Sequence, residues 1–186
     1  LLFQVLRYDP KDFRQQQPDG KGDWKWNLDG VRQVLYKLPD LLNSGGPVYI
    51  VGGEKDCETL FKHGVTATTN AGGEGKWRKE LNQHLKDRSI IIIEDNDAPG
   101  RVHGQFVAES LYGIAAQIKI IRLPELNEKE DITDFLEKNS FEELVKKIAT
   151  ASTFDGSYKK YFGEPILKNE SGDCKKDNEY DEEAKT

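Results

Sequence analysis

Ile90-Ile91-Ile92-Ile93-Glu94-Asp95-Asn96-Asp97-Ala98-Pro99-Gly100-Arg101 is the stretch that decides the fold. Four consecutive branched apolar residues read as a strand buried on both faces, and such strands belong to parallel sheets. The strand runs into an acidic tip, a Pro-Gly turn and a helix. In open α/β sheets, ligands sit just beyond the carboxyl ends of strands. Two aspartates one residue apart at such an end make a seat for a hard divalent cation. Magnesium takes a few carboxylates, keeps much of its water and completes its shell with phosphate oxygens. The pattern therefore points to metal-assisted phosphate chemistry; an Asx-rich turn feeding a helix is the plainer alternative.

Outward from this strand, the chain alternates strands and helices. Val48 to Val51 reads as a short strand, followed by Gly52-Gly53 and a helix from about Glu54 to His63. Thr66 to Thr69 is β-branched and strand-like. A glycine-rich loop, Asn70 to Lys76, precedes a helix from about Trp77 to Leu85. A long helix from about Gly100 to Ala115 follows the isoleucine strand, and Gln117 to Leu123 alternates as another strand. Two helices close the pattern, Ile132 to Lys138 and Phe141 to Ala151. Such alternation implies a parallel sheet with right-handed crossovers and helices on both faces.

The first 46 residues read differently. Leu2 to Tyr8 is strand-like, Pro18-Asp19-Gly20 signals a turn, and Trp24-Lys25-Trp26 alternates as a short strand should. An antiparallel ribbon is expected, then a short helical piece around Leu38 to Leu42. Trp24 and Trp26 could stack on bases; alternation puts both on one face, which favours packing against the neighbouring domain. Three units result: a β-rich extension over 1–46, an α/β domain over 47–151, and a polar C-terminal tail over 152–186, expected to be disordered in part.

Composition bounds the function. The chain has 186 residues, enough for an independent core. No run of about 18 apolar residues occurs, so no membrane span is expected. There is no basic-then-apolar leader. Cys57 and Cys174 lack partnering spacing, which argues against a zinc site or disulfide framework. His63, His84 and His103 are scattered singly, each expected to be a surface or partly buried helix residue. A cytoplasmic location follows. The absence of methionine and the opening Leu1-Leu2-Phe3-Gln4-Val5-Leu6 read as a fragment of something longer. The net charge is −6; Lys168 to Thr186 carry seven acids against four lysines, half of that total. Overall charge neither supports nor excludes a nucleic-acid partner.

Two further loops could carry chemistry. Asn70-Ala71-Gly72-Gly73-Glu74-Gly75-Lys76-Trp77-Arg78 has the parts of a phosphate cradle: Gly72, Gly73 and Gly75 for close backbone approach, a following helix, and Lys76 and Arg78 for charge. It lacks Walker A spacing, and a flexible βα connection is the alternative. Trp77 is expected to anchor the helix rather than stack on a base. In Glu128-Lys129-Glu130-Asp131-Ile132-Thr133-Asp134, acids could close a metal site from the neighbouring strand end. Asp131 could equally be the N-cap of the next helix, and both can hold at once.

Taken in order, Val51-Gly52-Gly53-Glu54-Lys55-Asp56, Thr69-Asn70-Ala71-Gly72-Gly73-x-Gly75-Lys76-Trp77, Asp95-Asn96-Asp97-x-Pro99-Gly100-Arg101 and Asp131-Ile132-Thr133-Asp134-Phe135-Leu136 resemble the Toprim domain. The version most similar is that of primase and primase-helicase proteins of phages, plasmids and other mobile elements. Tyr8-Asp9-Pro10-Lys11-Asp12-Phe13-Arg14 and Trp24-x-Trp26-Asn27-Leu28 are also similar to the segment preceding Toprim in those proteins. The resemblance spans roughly residues 1 to 137.

It implies that Asp95 and Asp97 match the family's magnesium-binding pair, Asp131 a further acid that helps hold metal, and Asp56 the aspartate after the first strand. The implied cofactor is magnesium or manganese. The implied activity is nucleotidyl transfer in DNA replication, with Lys76 and Arg101 on nucleotide or template phosphates. DNA or RNA, nucleoside triphosphates and a helicase domain or subunit are the implied partners. A non-catalytic nucleic-acid-binding module and a Toprim nuclease are the alternatives. One departure matters: the family's first motif usually reads Val-Glu-Gly, and here the glutamate position is Gly52. General acid-base help is commonly worth about 10²–10⁴-fold in rate. An engineered variant, a naturally degenerate domain, or substitution by Glu54 or Glu94 would each account for it.

Overall fold

The computed structural model describes residues 2–10 and 12–157; the C-terminal tail beyond 157, with Cys174, lies outside the described residues. The isoleucine run forms the third of four parallel strands. These are β4 (Val48–Ile50), β5 (Thr66–Thr68), β6 (Ser89–Ile93) and β7 (Gln117–Ile121), in the spatial order β5-β4-β6-β7. Registers are direct: Ile50 pairs with Ile92, and Ile93 with Ile121.

Strand alternation divides the four isoleucines between two cores. Ile90 and Ile92 face a layer with Leu81, Leu85, Val107 and Leu111, whereas Ile91 and Ile93 face Cys57, Leu60, Ile132 and Phe135. The first layer comes from α1 (Leu38–Asn43), the 3₁₀ helix Lys79–Leu85 and α3 (Ala98–Leu111). The second comes from α2 (Glu54–Phe61), α4 (Ile132–Lys138) and α5 (Phe141–Thr150). The expected α/β class, with helices on both faces of a parallel sheet, is what the chain adopts.

The N-terminal ribbon is a separate antiparallel sheet of β1 (Gln4–Tyr8), β2 (Asp12–Pro18) and β3 (Trp24–Lys25), in that order. Its β2–β3 turn closes as the Pro-Asp-Gly signal implies, with Asp19 Oδ1 accepting from the amides of Lys21 and Asp23 at 2.7 and 2.9 Å. β2 itself carried no apolar alternation to announce it.

Several expectations need correction. The helix expected from Trp77 is a 3₁₀ helix beginning at Lys79, and α3 begins two residues before Gly100 and ends at Leu111. Pro99 in the first turn of α3 explains the early start, since its missing N–H belongs among the unpaired donors of a helix N-terminus. Trp26, expected to pack against the neighbouring domain, is 59% exposed and lies just past β3, which ends at Lys25. His103 is buried on α3 rather than at the surface or partly buried.

The core also reaches past the expected unit boundaries. Leu35 and Leu41 are buried in the layer that covers Ile90 and Ile92, and Arg88 ties α1 to the start of β6 by donating to the Leu41 carbonyl, Ser44 Oγ and the Gly46 carbonyl. At the other end, Thr153 bridges to Lys119 of β7 and Phe154 is buried in that same layer.

A fully buried isoleucine contributes about 1.5–3 kcal/mol through its removal from water. Ile92→Ala should therefore destabilise the fold by about 2–5 kcal/mol, because the cavity lies between a sheet and α3 and cannot collapse freely. Trp26→Ala should change stability by less than about 0.5 kcal/mol. Urea unfolding followed by circular dichroism measures both.

Candidate metal centre and phosphate loop

The strand order reverses at one place. From β4 the chain crosses outward to β5, then returns past β4 to β6 and β7. The crevice beyond the carboxyl ends of β4 and β6 is therefore the topological switch point, where open α/β sheets bind ligands. Gly52 follows β4 and Asp95 follows β6, and the two line one crevice with Glu74, Glu94, Gly100, His103 and Gly104.

Three of the expected acids meet here. Asp56, in the first turn of α2, is buried and accepts a hydrogen bond from Thr133 Oγ1 at 2.6 Å. Burial, then the nearby charges of Asp131 and Asp95, push its carboxyl up to about 7 despite the Thr133 bond. Asp95 is pushed further, to about 8, by burial and then by Glu74, Asp131 and Asp97. Asp131 goes the other way. Burial raises it, but the Asp134 amide and the Lys55 ammonium, 3.1 Å away, outweigh burial and hold it below the usual carboxylate range.

Asp97 and Asp131 also cap helices. Asp97 Oδ1 accepts from the Gly100 amide at 2.7 Å at the start of α3. Asp131 forms a reciprocal capping box with Asp134 at the start of α4. The turn reading of both motifs is thus realised at two of the residues expected to hold metal.

Asn96, between the two aspartates, explains why Asp131 is present at all. Its Nδ2 donates to the Leu126 carbonyl at 2.6 Å, its amide to the Glu130 carbonyl, and its carbonyl accepts from the Lys129 amide. These bonds clamp the loop after β7 onto the tip of β6. Sequence reasoning passed over Asn96, although it stands inside the decisive stretch.

Of the two glutamates considered as stand-ins at Gly52, Glu94 is already engaged. Its buried carboxylate pairs with Arg122 Nε at 2.7 Å, and a Cβ on Gly104 would fall 2.6 Å from it. Within the crevice Glu94 lies against Gly104, whereas Asp95 lies against Gly52 and Gly100. Glu54 is half-buried at the first position of α2, and its charge opposes ionisation of Tyr36 and Cys57. Gly52 itself leaves space that Asp95 fills: a Cβ there would stand 2.4 Å from Asp95 Oδ2.

The glycine-rich loop lies against the same crevice. Gly72, Gly73 and Gly75 have φ of 85°, 72° and 74°, the left-handed backbone that glycine alone adopts without strain. Gly75 N–H donates to His103 Nδ1 at 3.2 Å, and Trp77 anchors the following 3₁₀ helix by donating from Nε1 to Asn82 at 2.9 Å. Lys76 and Arg78 are exposed at the end of this loop. Arg101 is half-buried and donates to Asn96 Oδ1 at 3.3 Å.

The donor set is carboxylate oxygen, which suits a hard divalent cation. Asp131 raises both Asp56 and Asp95, and Asp95 adds to the rise at Asp56, the mark of buried negative charge short of a counter-ion. As the side chains stand, no three carboxylate, imidazole or thiol groups converge in ligating positions among the described residues. Lys55 holds Asp131. A cation held by Asp131 would compete with that ammonium.

No protein-family model matches the sequence, and no curated protein is similar to it. The fold, by contrast, has solved counterparts. The Aquifex aeolicus primase, in a structure of its zinc-binding and RNA polymerase domains, superposes with a TM-score of 0.59 at 17% identity, over 83% of this chain and 38% of that one. The DnaG catalytic core superposes with a TM-score of 0.55 at 17% identity, over 81% of this chain and 53% of that one. A bacteriophage T7 assembly of lagging-strand DNA polymerase with primase domains of two gp4 subunits, bound to an RNA/DNA hybrid and dTTP, matches with a TM-score of 0.53 at 17% identity, over 82% of this chain and 72% of the other. This chain thus spans about half or less of the first two. It has the Toprim-like α/β fold of primase catalytic cores.

The raised carboxyls set a pH dependence. A group whose folded pKa exceeds its unfolded value adds stability that is complete below the unfolded pKa and lost as pH rises through the folded one. For Asp56 and Asp95 that window runs from 3.8 to about 7 and about 8 respectively. Without divalent cations, Tm should therefore fall between pH 5.5 and 8.5, and Asp95→Asn should flatten the slope. Scanning calorimetry across that range measures it; an equal slope in the variant would contradict the assignment.

Proposed function

We propose that this chain is the Toprim segment of a DNA primase or primase-helicase of a mobile element, and that it serves magnesium- or manganese-dependent nucleotidyl transfer. The observation that carries the reading is that Asp56, Asp95 and Asp131 lie near enough for their charges to act on one another, beside the switch-point crevice of a fold shared with primase catalytic cores. Asp95, Asp97, Asp131 and Asp56 would hold the cation. When bound, such an ion neutralises phosphate charge and aligns an oxygen nucleophile with phosphorus.

The chain's own groups divide the remaining work. Asn96 keeps the Asp131 loop against the tip of β6, so the acids stand together before any ligand arrives. The glycines of residues 72–76, with Lys76, Arg78 and Arg101, suit nucleotide or template phosphates. Glu54, at the start of α2, is the remaining candidate for acid-base help, since Glu94 is committed to Arg122. DNA or RNA and nucleoside triphosphates are the proposed ligands, and a helicase domain or subunit the proposed partner. The T7 counterpart, with its RNA/DNA hybrid and dTTP, supports the nucleic-acid part of this reading. Among the described residues no helix is long and apolar enough to cross a membrane.

Gly52 favours one second reading, a Toprim scaffold that binds nucleic acid without turnover. Manganese titration by calorimetry, beside primer-synthesis assays, separates the two. Binding is expected in the native chain, lost in Asp95→Ala/Asp97→Ala. Activity that appears or rises only in Gly52→Glu would assign this chain the binding role. Absence of cation binding in every version would remove the catalytic reading. Shortened rather than lengthened labelled DNA would mark a nuclease.

A further inference from the structure

The glycine-rich loop sends one side chain into the crevice that phosphate binding leaves unused. Glu74 stands between Gly73 and Gly75, and the left-handed backbone on either side of it turns its half-buried side chain toward the tip of β6. The loop is braced on both flanks: Asn70 Nδ2 donates to the Gly73 carbonyl at 2.7 Å, and the Gly75 amide donates to His103 Nδ1. Glu74 hydrogen-bonds to the Asp95 side chain. Its Oε1 lies 3.0 Å from where a Cβ on Gly100 would sit, so any larger residue at the start of α3 would push it away. On the β4 side, Gly52 contributes no side chain, and Asp95 and Glu74 line the space it leaves.

We propose, on the basis of the divalent-cation reading above, that Glu74 is a further carboxylate of the cation site and that it ties the cation to the glycine-rich loop. An oxygen ligand delivered by a loop orders that loop when the cation binds. Lys76 is two residues along the same loop, so ordering Glu74 also restricts the lysine offered to a phosphate. Cation and nucleotide phosphate are then linked through one short segment, and by reciprocity each strengthens the other's binding. The spacing Gly-Gly-Glu-Gly-Lys thus joins a cation ligand and an anion ligand on a single turn.

The test uses manganese titration by calorimetry on the whole chain, with Glu74→Gln and, as a control of equal charge change, Glu80→Gln, which is exposed on the following 3₁₀ helix. Alongside it, hydrogen exchange of the amides of residues 72–76 is followed with and without magnesium. Glu74→Gln should weaken manganese binding by about 10–100-fold, the range for groups that hold or orient metal ligands. Glu80→Gln should leave binding within about twofold, the scale of a screened surface charge. In the native chain magnesium should slow exchange in the loop, and in Glu74→Gln it should not. If the native chain binds manganese and Glu74→Gln binds it equally well, the proposal is overturned while the cation reading stands. If the native chain binds none, both fall. Should Glu74→Gln lower Tm as well as affinity, the native chain decides alone: loop exchange unaltered by magnesium overturns the proposal.

Discussion

Burial of the isoleucine strand on both faces is the constraint from which the rest follows. A strand with branched apolar residues at every position cannot lie at a solvated surface, so helices must cover the sheet twice. Covering both faces of a parallel sheet requires the crossovers to go to both sides, and that requirement creates a reversal of strand order. The acidic tip of β6 emerges at that reversal. The position of Asp95 is therefore set by where the hydrophobic core ends.

The crevice concentrates like charge in a partly dry place, which is unfavourable unless something compensates. In the structure the compensation is local and incomplete. Lys55 reaches Asp131, Arg122 reaches Glu94, and Thr133 donates to Asp56. Asp95 is met instead by another acid, Glu74. Burial of charge with so little neutralisation is a standing cost, and folds tolerate it chiefly where a ligand or a reaction uses it. Glycines make the gathering sterically possible. Gly52, Gly100 and Gly104 each stand where a Cβ would collide with a carboxylate or its stem.

The comparison with primase cores fits this picture at the level of fold. Identity of 17% with each counterpart means that few side chains are shared, while the fold persists. In this chain the position without a side chain at Gly52 and the acid arriving from the loop at Glu74 line the same space.

Read alone, the sequence determined the fold class, the order of elements in the α/β unit, the loops at strand ends and the acids available to them. These are local properties: apolar runs, glycine turns and capping residues act over a few positions. It did not disclose β2, whose Gln-rich segment is held by pairing with β1 and β3 rather than by its own pattern. Nor did it show that Leu35, Leu41 and Phe154 complete the core from outside the expected boundaries. Which acids share a site was decided only in three dimensions. Glu94 and Asp95 are neighbours in the chain and take different partners, Arg122 for the first and the distant Glu74 for the second. Crossover topology brings each partner in, and neither contact exists until the sheet has formed.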